Sequence, residues 1–212
     1  MEIKLHYEDK HLLVAEKPYG VCSQQSKGES LVSILEEQLL CKIYPVHRLD
    51  TQTTGLIVYA KTKECCAKLT KQIQGGVFKK EYLCICHGDI LEKGEMKDFL
   101  YHDKMKNKSF VVDKKRMGTK EASLEYARIE SKDGLNLVKV KLHTGRTHQI
   151  RVQFASRGFV LYGDGKYGAK DNDKIALHSC HISFTHPETG KAISVVSQPQ
   201  SEGIWETMLK FN

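Results

Sequence analysis

The run Leu137-Val138-Lys139-Val140-Lys141-Leu142 alternates apolar and basic residues, the period of a half-buried β-strand. Similar patterns predict strands at Leu12–Ala15, Gly55–Ala60, Lys80–Cys86, 122–130, 135–143 and Ile175–Phe184. The first is closed by a turn signal, Lys17-Pro18-Tyr19-Gly20, and Gly55–Ala60 is apolar enough to lie centrally in a sheet. Periods of three and four predict a helix from Ser30 to about Leu40, with Leu31, Ile34, Leu35 and Leu39 on one stripe. A second helix is expected over 63–74, capped by Thr62 and stopped by Gly75-Gly76. A third is expected over 147–157, with Thr147 as its cap, Ile150 and Phe154 on one face and Gly158 as its stop. Trp205, Met208 and Leu209 mark a short C-terminal helix. Residues 92–118, the most lysine-rich part, read as a hairpin around Phe99-Leu100-Tyr101 and Phe110-Val111-Val112. A turn at Pro187-Glu188-Thr189-Gly190 follows the last long strand. With no repeat, low-complexity tract or linker, the pattern predicts one α+β domain over residues 1–212.

Charge narrows the partners. Lysine and arginine number 33 against 26 acidic residues, a difference of +7, which favours a polyanion. No stretch approaches 18 apolar residues, so no membrane span is expected, and Met1-Glu2-Ile3-Lys4-Leu5-His6 lacks the apolar core of a signal peptide. A cytoplasmic protein is the expectation. Seven cysteines, an odd number, fall at apolar positions such as Cys65-Cys66 and Cys84-x-Cys86. Cys84-x-Cys86-His87 and His178-x-Cys180-His181 lack the two-to-four-residue gaps of structural zinc knuckles, so reduced, partly buried thiols are expected and no metal.

Two dense clusters carry the candidate chemistry. His143-Thr144-Gly145-Arg146-Thr147-His148-Gln149-Ile150-Arg151 puts two histidines and two arginines around a glycine between a strand and a helix. A strand turning at Gly145 into a helix start suits an anion, because free N–H groups and the dipole both favour phosphate. Far away in sequence, His47-Arg48-Leu49-Asp50 places one carboxylate among cations, followed by Thr53-Thr54-Gly55. Together they suggest catalysis on a nucleic acid.

These runs, with Lys80-Glu81-Tyr82 and Gly163-Asp164-x-x-Tyr167-Gly168, resemble the motifs of the RluA-type pseudouridine synthases in order, from about Tyr7 to about Pro199. Thr54 stands where that family usually has serine, another small hydroxyl. The matching region begins near Tyr7, so the N-terminal RNA-binding S4 domain of several relatives is not expected here. The resemblance implies a mixed, mainly antiparallel sheet flanked by helices, with an active-site cleft across it.

It also implies roles. Asp50 corresponds to the catalytic aspartate, Arg151 to the arginine that pairs with it, and Tyr82 to the tyrosine that packs on the target base and is a candidate proton relay. Arg48 corresponds to the residue filling the gap left by a flipped uridine. Arg146 at the Gly145 turn is an expected phosphate contact, and Leu161 is either a base-pocket residue or plain core. For His47, His143 and His148, structural and catalytic readings both stand. The implied reaction needs no cofactor. RNA, either rRNA or tRNA, is the implied partner, no protein partner is implied, and a monomer is expected. A non-catalytic RNA-binding protein on the same scaffold is the competing reading, and a cysteine/histidine metalloprotein the third. The lysine runs at 79–80, 104–108 and 114–116 are either further RNA surface or solvated edges.

Overall fold

The computed structural model of the protein describes residues 1–25 and 28–209. The first elements are strands β1 (Leu5–Glu8) and β2 (Leu12–Lys17), helix α1 (Leu31–Leu39), strands β3 (Tyr44–Pro45) and β4 (Thr54–Ala60), and helix α2 (Lys63–Gln74). There follow β5 (Lys79–His87), β6 (Lys93–Asp103), β7 (Lys108–Val112), β8 (Thr119–Lys132) and β9 (Leu135–Leu142). Helix α3 (Gln149–Ala155), strands β10 (Leu177–Thr185) and β11 (Ala192–Val196), and helix α4 (Ile204–Leu209) complete the order. Among the described residues no helix is long and apolar enough to cross a membrane.

Two compact units form: Met1–Lys80 with His178–Pro199, and Glu81–Leu177 with Gln200–Asn212. Two of the junctions fall inside strands, β5 and β10, so no linker composition marks them.

In the first unit the strand order is β1-β2-β4-β10, with β11 on β10 and β3 on β4. The β4–β10 pairing is parallel and the others are antiparallel, which gives the mixed, mainly antiparallel α+β architecture expected. Alternate residues of β2, β4 and β10 (Leu12, Val14, Leu56, Val58, Ile182, Phe184) point to one face. Helix α2 closes that face with Cys65 and Leu69, four apart on one stripe. Thr62 caps α2 through Cys65 N at 3.1 Å, and Ser30 and Ser33 form a reciprocal capping box on α1. Both helices start where the sequence places them. The short strands β1, β3 and β11 are additions to the sequence reading; at two to five residues each they carry too little periodicity to be read.

In the second unit the order is β5-β9-β8-β6-β7. The lysine-rich hairpin is present: Tyr101 opposes Phe110 and Phe99 opposes Val112 across β6 and β7. Val152 of α3 packs on Leu100 and Ala122, with Val111 and Tyr167 alongside.

The start of α3 departs from the sequence reading. The helix begins at Gln149, His148 takes the N-cap position with φ of 54°, and no side chain caps it. Thr147 is therefore not the cap. Tertiary bonds override local capping: Ser109 Oγ donates to Thr147 O at 2.7 Å, and His148 Nδ1 lies 3.1 Å from Tyr167 Oη. Arg146 N donates to Gln149 Oε1 at 3.0 Å, so the turn spends that amide on its own helix.

Candidate active site

Asp50 lies in the loop 46–53 between β3 and β4, and four anchors fix that loop. Along one edge β4 pairs with β2; along the other, β10 takes Thr54 and Gly55 while β3 takes Tyr59 and Ala60. The Val58 N–H falls in the gap between those two partners, and His47 Nε2 accepts it at 3.0 Å. A backbone N–H bonded to Nε2 requires a neutral ring with its proton on Nδ1. Desolvation, reinforced by the Lys80 charge, lowers the His47 pKa to about 3. His47 is thus a structural histidine that ties the loop to β4.

The second anchor is Ser23, whose Oγ accepts from Leu49 N at 3.1 Å and donates to Leu49 O at 2.7 Å. Ser23 is held in turn by the buried Tyr59, whose hydroxyl donates to Ser23 O at 2.6 Å. Third, Asp50 opens a turn closed by Thr53 N donating to Asp50 O at 2.9 Å. Fourth, Thr51 O accepts from Gly20 N and from Lys17 Nζ, each at 2.9 Å. Lys17 Nζ also donates to Pro18 O at 2.8 Å, so one ammonium joins the Lys17–Gly20 turn to the Asp50 turn. Lys17 is fully buried, and desolvation brings its pKa down to about 8, although Cys22 and Asp50 favour its charge. Asp50 itself is half-buried, and Arg48 is exposed.

Behind the loop, Gly55 has φ of 99° and faces Ser179 of β10; a Cβ there would meet Ser179 O at 2.4 Å. Only glycine allows this parallel pairing. It brings Thr54 Oγ1 within 2.8 Å of His178 Nδ1, and His178 Nε2 lies 3.2 Å from Ser197 Oγ. Ser197 Oγ donates to Glu16 Oε2 at 2.7 Å. The hydroxyl that matters at position 54 is thus one that a buried histidine can bond, a need that threonine meets as serine would.

Tyr82, Arg146, Arg151 and Leu161 belong to the second unit. Arg151, on α3, is 2% exposed and grips Asp164 with two bonds of 2.7 Å, Nε to Oδ2 and Nη2 to Oδ1. Its guanidinium carbon lies 5.3 Å from the centre of the Tyr167 ring. Tyr167 is held by Ser109 N, which donates to its hydroxyl at 2.9 Å. Gly163, before Asp164, has φ of 74°, and a Cβ there would meet Lys174 O at 2.3 Å. The run Gly163-Asp164-x-x-Tyr167-Gly168 is therefore a built support for Arg151.

Leu161 is fully buried and bridges to Cys86, while Tyr162 N donates to Ile85 O at 2.9 Å, so this segment extends the β5 edge. Tyr82 is buried on β5. Arg146 Nε donates to Glu121 O at 2.8 Å, and the exposed His143 pairs with Glu125 at 2.9 Å. The residue that organises this loop is Gln149. Its Oε1 accepts from Thr144 Oγ1 at 2.7 Å as well as from Arg146 N, and its Nε2 donates to Ser123 O at 3.1 Å.

Sequence reasoning did not assign Lys17, Ser23, Gln149, Asp164 or Tyr167 to the site. Gln149, Asp164 and Tyr167 stood inside quoted motifs, whereas Lys17-Pro18 read only as a turn and Ser23 carried no signal. All seven cysteines are free and four are buried; burial pushes the Cys65 and Cys86 thiols up to about 12. Among the described residues no group of three or more His, Cys, Asp or Glu side chains is placed to hold a metal.

A family model described as RNA pseudouridylate synthase matches residues 11–156. The uncharacterized RNA pseudouridine synthase YhcT of Bacillus subtilis is 31% identical over 206 residues, covering 91% of this chain and 67% of its own. Ribosomal large subunit pseudouridine synthase D of Pseudomonas aeruginosa is 31% identical over 230 residues, covering 97% and 71%. Among solved structures, human RNA pseudouridylate synthase domain containing 4 superimposes with a TM-score of 0.80 over 97% of this chain and 91% of its own. At 20% identity that likeness speaks to the fold.

Proposed function

Because the chain belongs to the RNA pseudouridylate synthase family, a family of isomerases, we propose that it converts specific uridines of a structured RNA, rRNA or tRNA, to pseudouridine through Asp50. The observation that carries this reading is the immobilisation of the Asp50 turn. His47, Ser23, Lys17 and the Thr53 amide hold the backbone on both sides of the carboxylate. Such preorganisation is what a reacting carboxylate requires and a turn cap does not.

The reaction breaks the bond from C1′ to N1, turns the uracil and joins C1′ to C5. The C5 proton leaves and N1 gains one, so atoms balance with no cofactor. Asp50 either attacks C1′ or stabilises the sugar cation while a sugar proton is removed, as carboxylates act on oxocarbenium-like centres. In this reading Arg151 keeps the catalytic carboxylate ionised, and Tyr82 packs on the base and is the candidate relay for the C5 proton. Arg48, a flat cation, fills the stack left by the flipped uridine; Arg146 meets phosphate, and Leu161 lines the base pocket. The protein acts as a monomer in the cytoplasm, where such RNAs reside.

The test is a pseudouridine map of rRNA and tRNA from cells with and without the gene, repeated with Asp50→Asn in place of the wild type. Sites that vanish without the gene and stay absent with the Asn variant support the assignment. Identical maps in all three strains overturn it.

A further inference from the structure

Apart from Ser109, which braces Tyr167 and Thr147, the β6–β7 hairpin and the loop after it have no part in the reaction described above, yet they form a distinctive surface. Six of the thirteen residues from Lys104 to Arg116 are lysine or arginine, and one, Asp113, is acidic. Because β6 pairs with both β7 and β8, residues 113–118 must pass across β6 to reach β8. They pass over Tyr101: the Arg116 guanidinium carbon lies 5.7 Å from its ring centre, and a Cβ at Gly118 would meet the ring at 3.5 Å. Directly opposite Tyr101 on β7 is Phe110, with Lys108 Nζ 5.9 Å from its ring centre. Both residues remain 37% exposed. In the two turns, Met105 and Met117 are 98% and 99% exposed.

Lysines alone would protect a terminal strand such as β7 from pairing with other chains. They do not account for two opposed aromatic rings left open, each with a cation beside it. Aromatic faces interleaved with cations suit unpaired nucleotides, whose bases stack while their phosphates meet the charges. We propose that this hairpin is a docking platform for a single-stranded segment of the RNA, with bases on Tyr101 and Phe110 and phosphates on Lys104, Lys106, Lys114 and Arg116. The choice of RNA as occupant rests on the functional reading above and on the charge of the patch.

The experiment measures binding of a labelled twelve-nucleotide oligouridine and of a twelve-base-pair RNA duplex. Tyr101→Leu with Phe110→Leu keeps apolar bulk and removes the rings. It should weaken oligouridine binding roughly thirtyfold or more, since two base stacks are lost, and leave duplex binding unchanged. Tyr101→Phe with Phe110→Tyr should bind like the wild type. Lys104→Gln, Lys106→Gln and Lys114→Gln together should weaken both probes and reduce the salt slope for oligouridine by about 2. Wild-type affinity of the leucine variant for oligouridine would overturn the platform. So would self-association of the wild type that the leucine variant lacks, with unchanged oligouridine binding, since the patch would then join copies of this chain. If the leucine variant loses oligouridine while the pseudouridine maps show no dependence on the gene, the isomerase reading fails and the platform stands.

Discussion

Arg151 and Asp164 face each other through two parallel charge-assisted hydrogen bonds of 2.7 Å, with their side chains 3% and 1% exposed. The fork of the guanidinium matches the two carboxylate oxygens, so the pair fixes the plane of the Arg151 head group as well as its position. The Tyr167 ring, 5.3 Å from the guanidinium carbon, supports the pair, and the glycine turn at Gly163 brings Asp164 to it. A cation expected to serve catalysis is thereby held by a carboxylate thirteen residues along the chain.

Asp164→Ala should therefore destabilise the protein by about 3–5 kcal/mol, because it removes the carboxylate from a desolvated guanidinium. Replacing both members, with Arg151→Met and Asp164→Leu, should recover much of that stability while activity stays lost. Urea denaturation of the three proteins decides it. A double variant as unstable as Asp164→Ala would mean that the cost is not that of a buried charge.

Asp50→Asn should abolish isomerisation and leave RNA affinity and stability near wild type. The anchors around position 50 are hydrogen bonds of backbone atoms and neighbouring side chains, which the substitution leaves in place although it removes a charge that favours the Lys17 ammonium. Turnover by the Asn protein within tenfold of wild type would remove Asp50 from its assigned role.

Much of the fold was legible because its long elements obey simple periods. Helix α2 runs from its Thr62 cap to Gly75 as read, and the Phe99/Phe110 hairpin sits where its apolar triplets place it. What was not legible is tertiary. Thr147 is a good capping residue by type, but Ser109 and Tyr167 set the backbone before α3, and His148 takes the cap position in a left-handed conformation. Local sequence also says nothing of a pairing such as Lys17 with Thr51, which depends on two turns 34 residues apart meeting. At the site, Asp50 and Arg151 could be named from motifs. Asp164 stood inside a quoted motif, but its grip on Arg151, and that of Ser23 on Leu49 beside Asp50, became visible only as hydrogen bonds.

Lys17 offers a pH-dependent test of its burial. Its folded pKa, about 8, lies below the ordinary value of 10.5, so between those limits the unfolded chain binds more protons than the folded one. Stability must then rise with pH across that window through this group. Compared with Lys17→Met, the wild type should gain on the order of 3 kcal/mol between pH 8 and 10.5. The Met variant also leaves Thr51 O and Pro18 O without the ammonium, so its activity should fall at every pH. A wild-type minus variant difference that is flat with pH would show that Lys17 titrates normally.

Acid should act on the same region through His178 and His47. Desolvation lowers the His178 pKa to about 4, outweighing the favourable charge of Glu16, and lowers His47 to about 3. Both folded values lie below the ordinary 6.5, so the folded state resists a proton that the unfolded chain accepts. Their contribution to stability is complete above about pH 6.5, declines as pH falls, and is lost by about pH 4 for His178 and about pH 3 for His47. For His178 the full loss is on the order of 3 kcal/mol. His178→Gln, which retains an amide able to bond Thr54, removes the titrating group. Denaturation midpoints at pH 7.5, 5.5 and 4.5 should fall more steeply for the wild type than for this variant. Parallel declines would assign the acid sensitivity to other groups and would contradict the buried, neutral state assigned to His178.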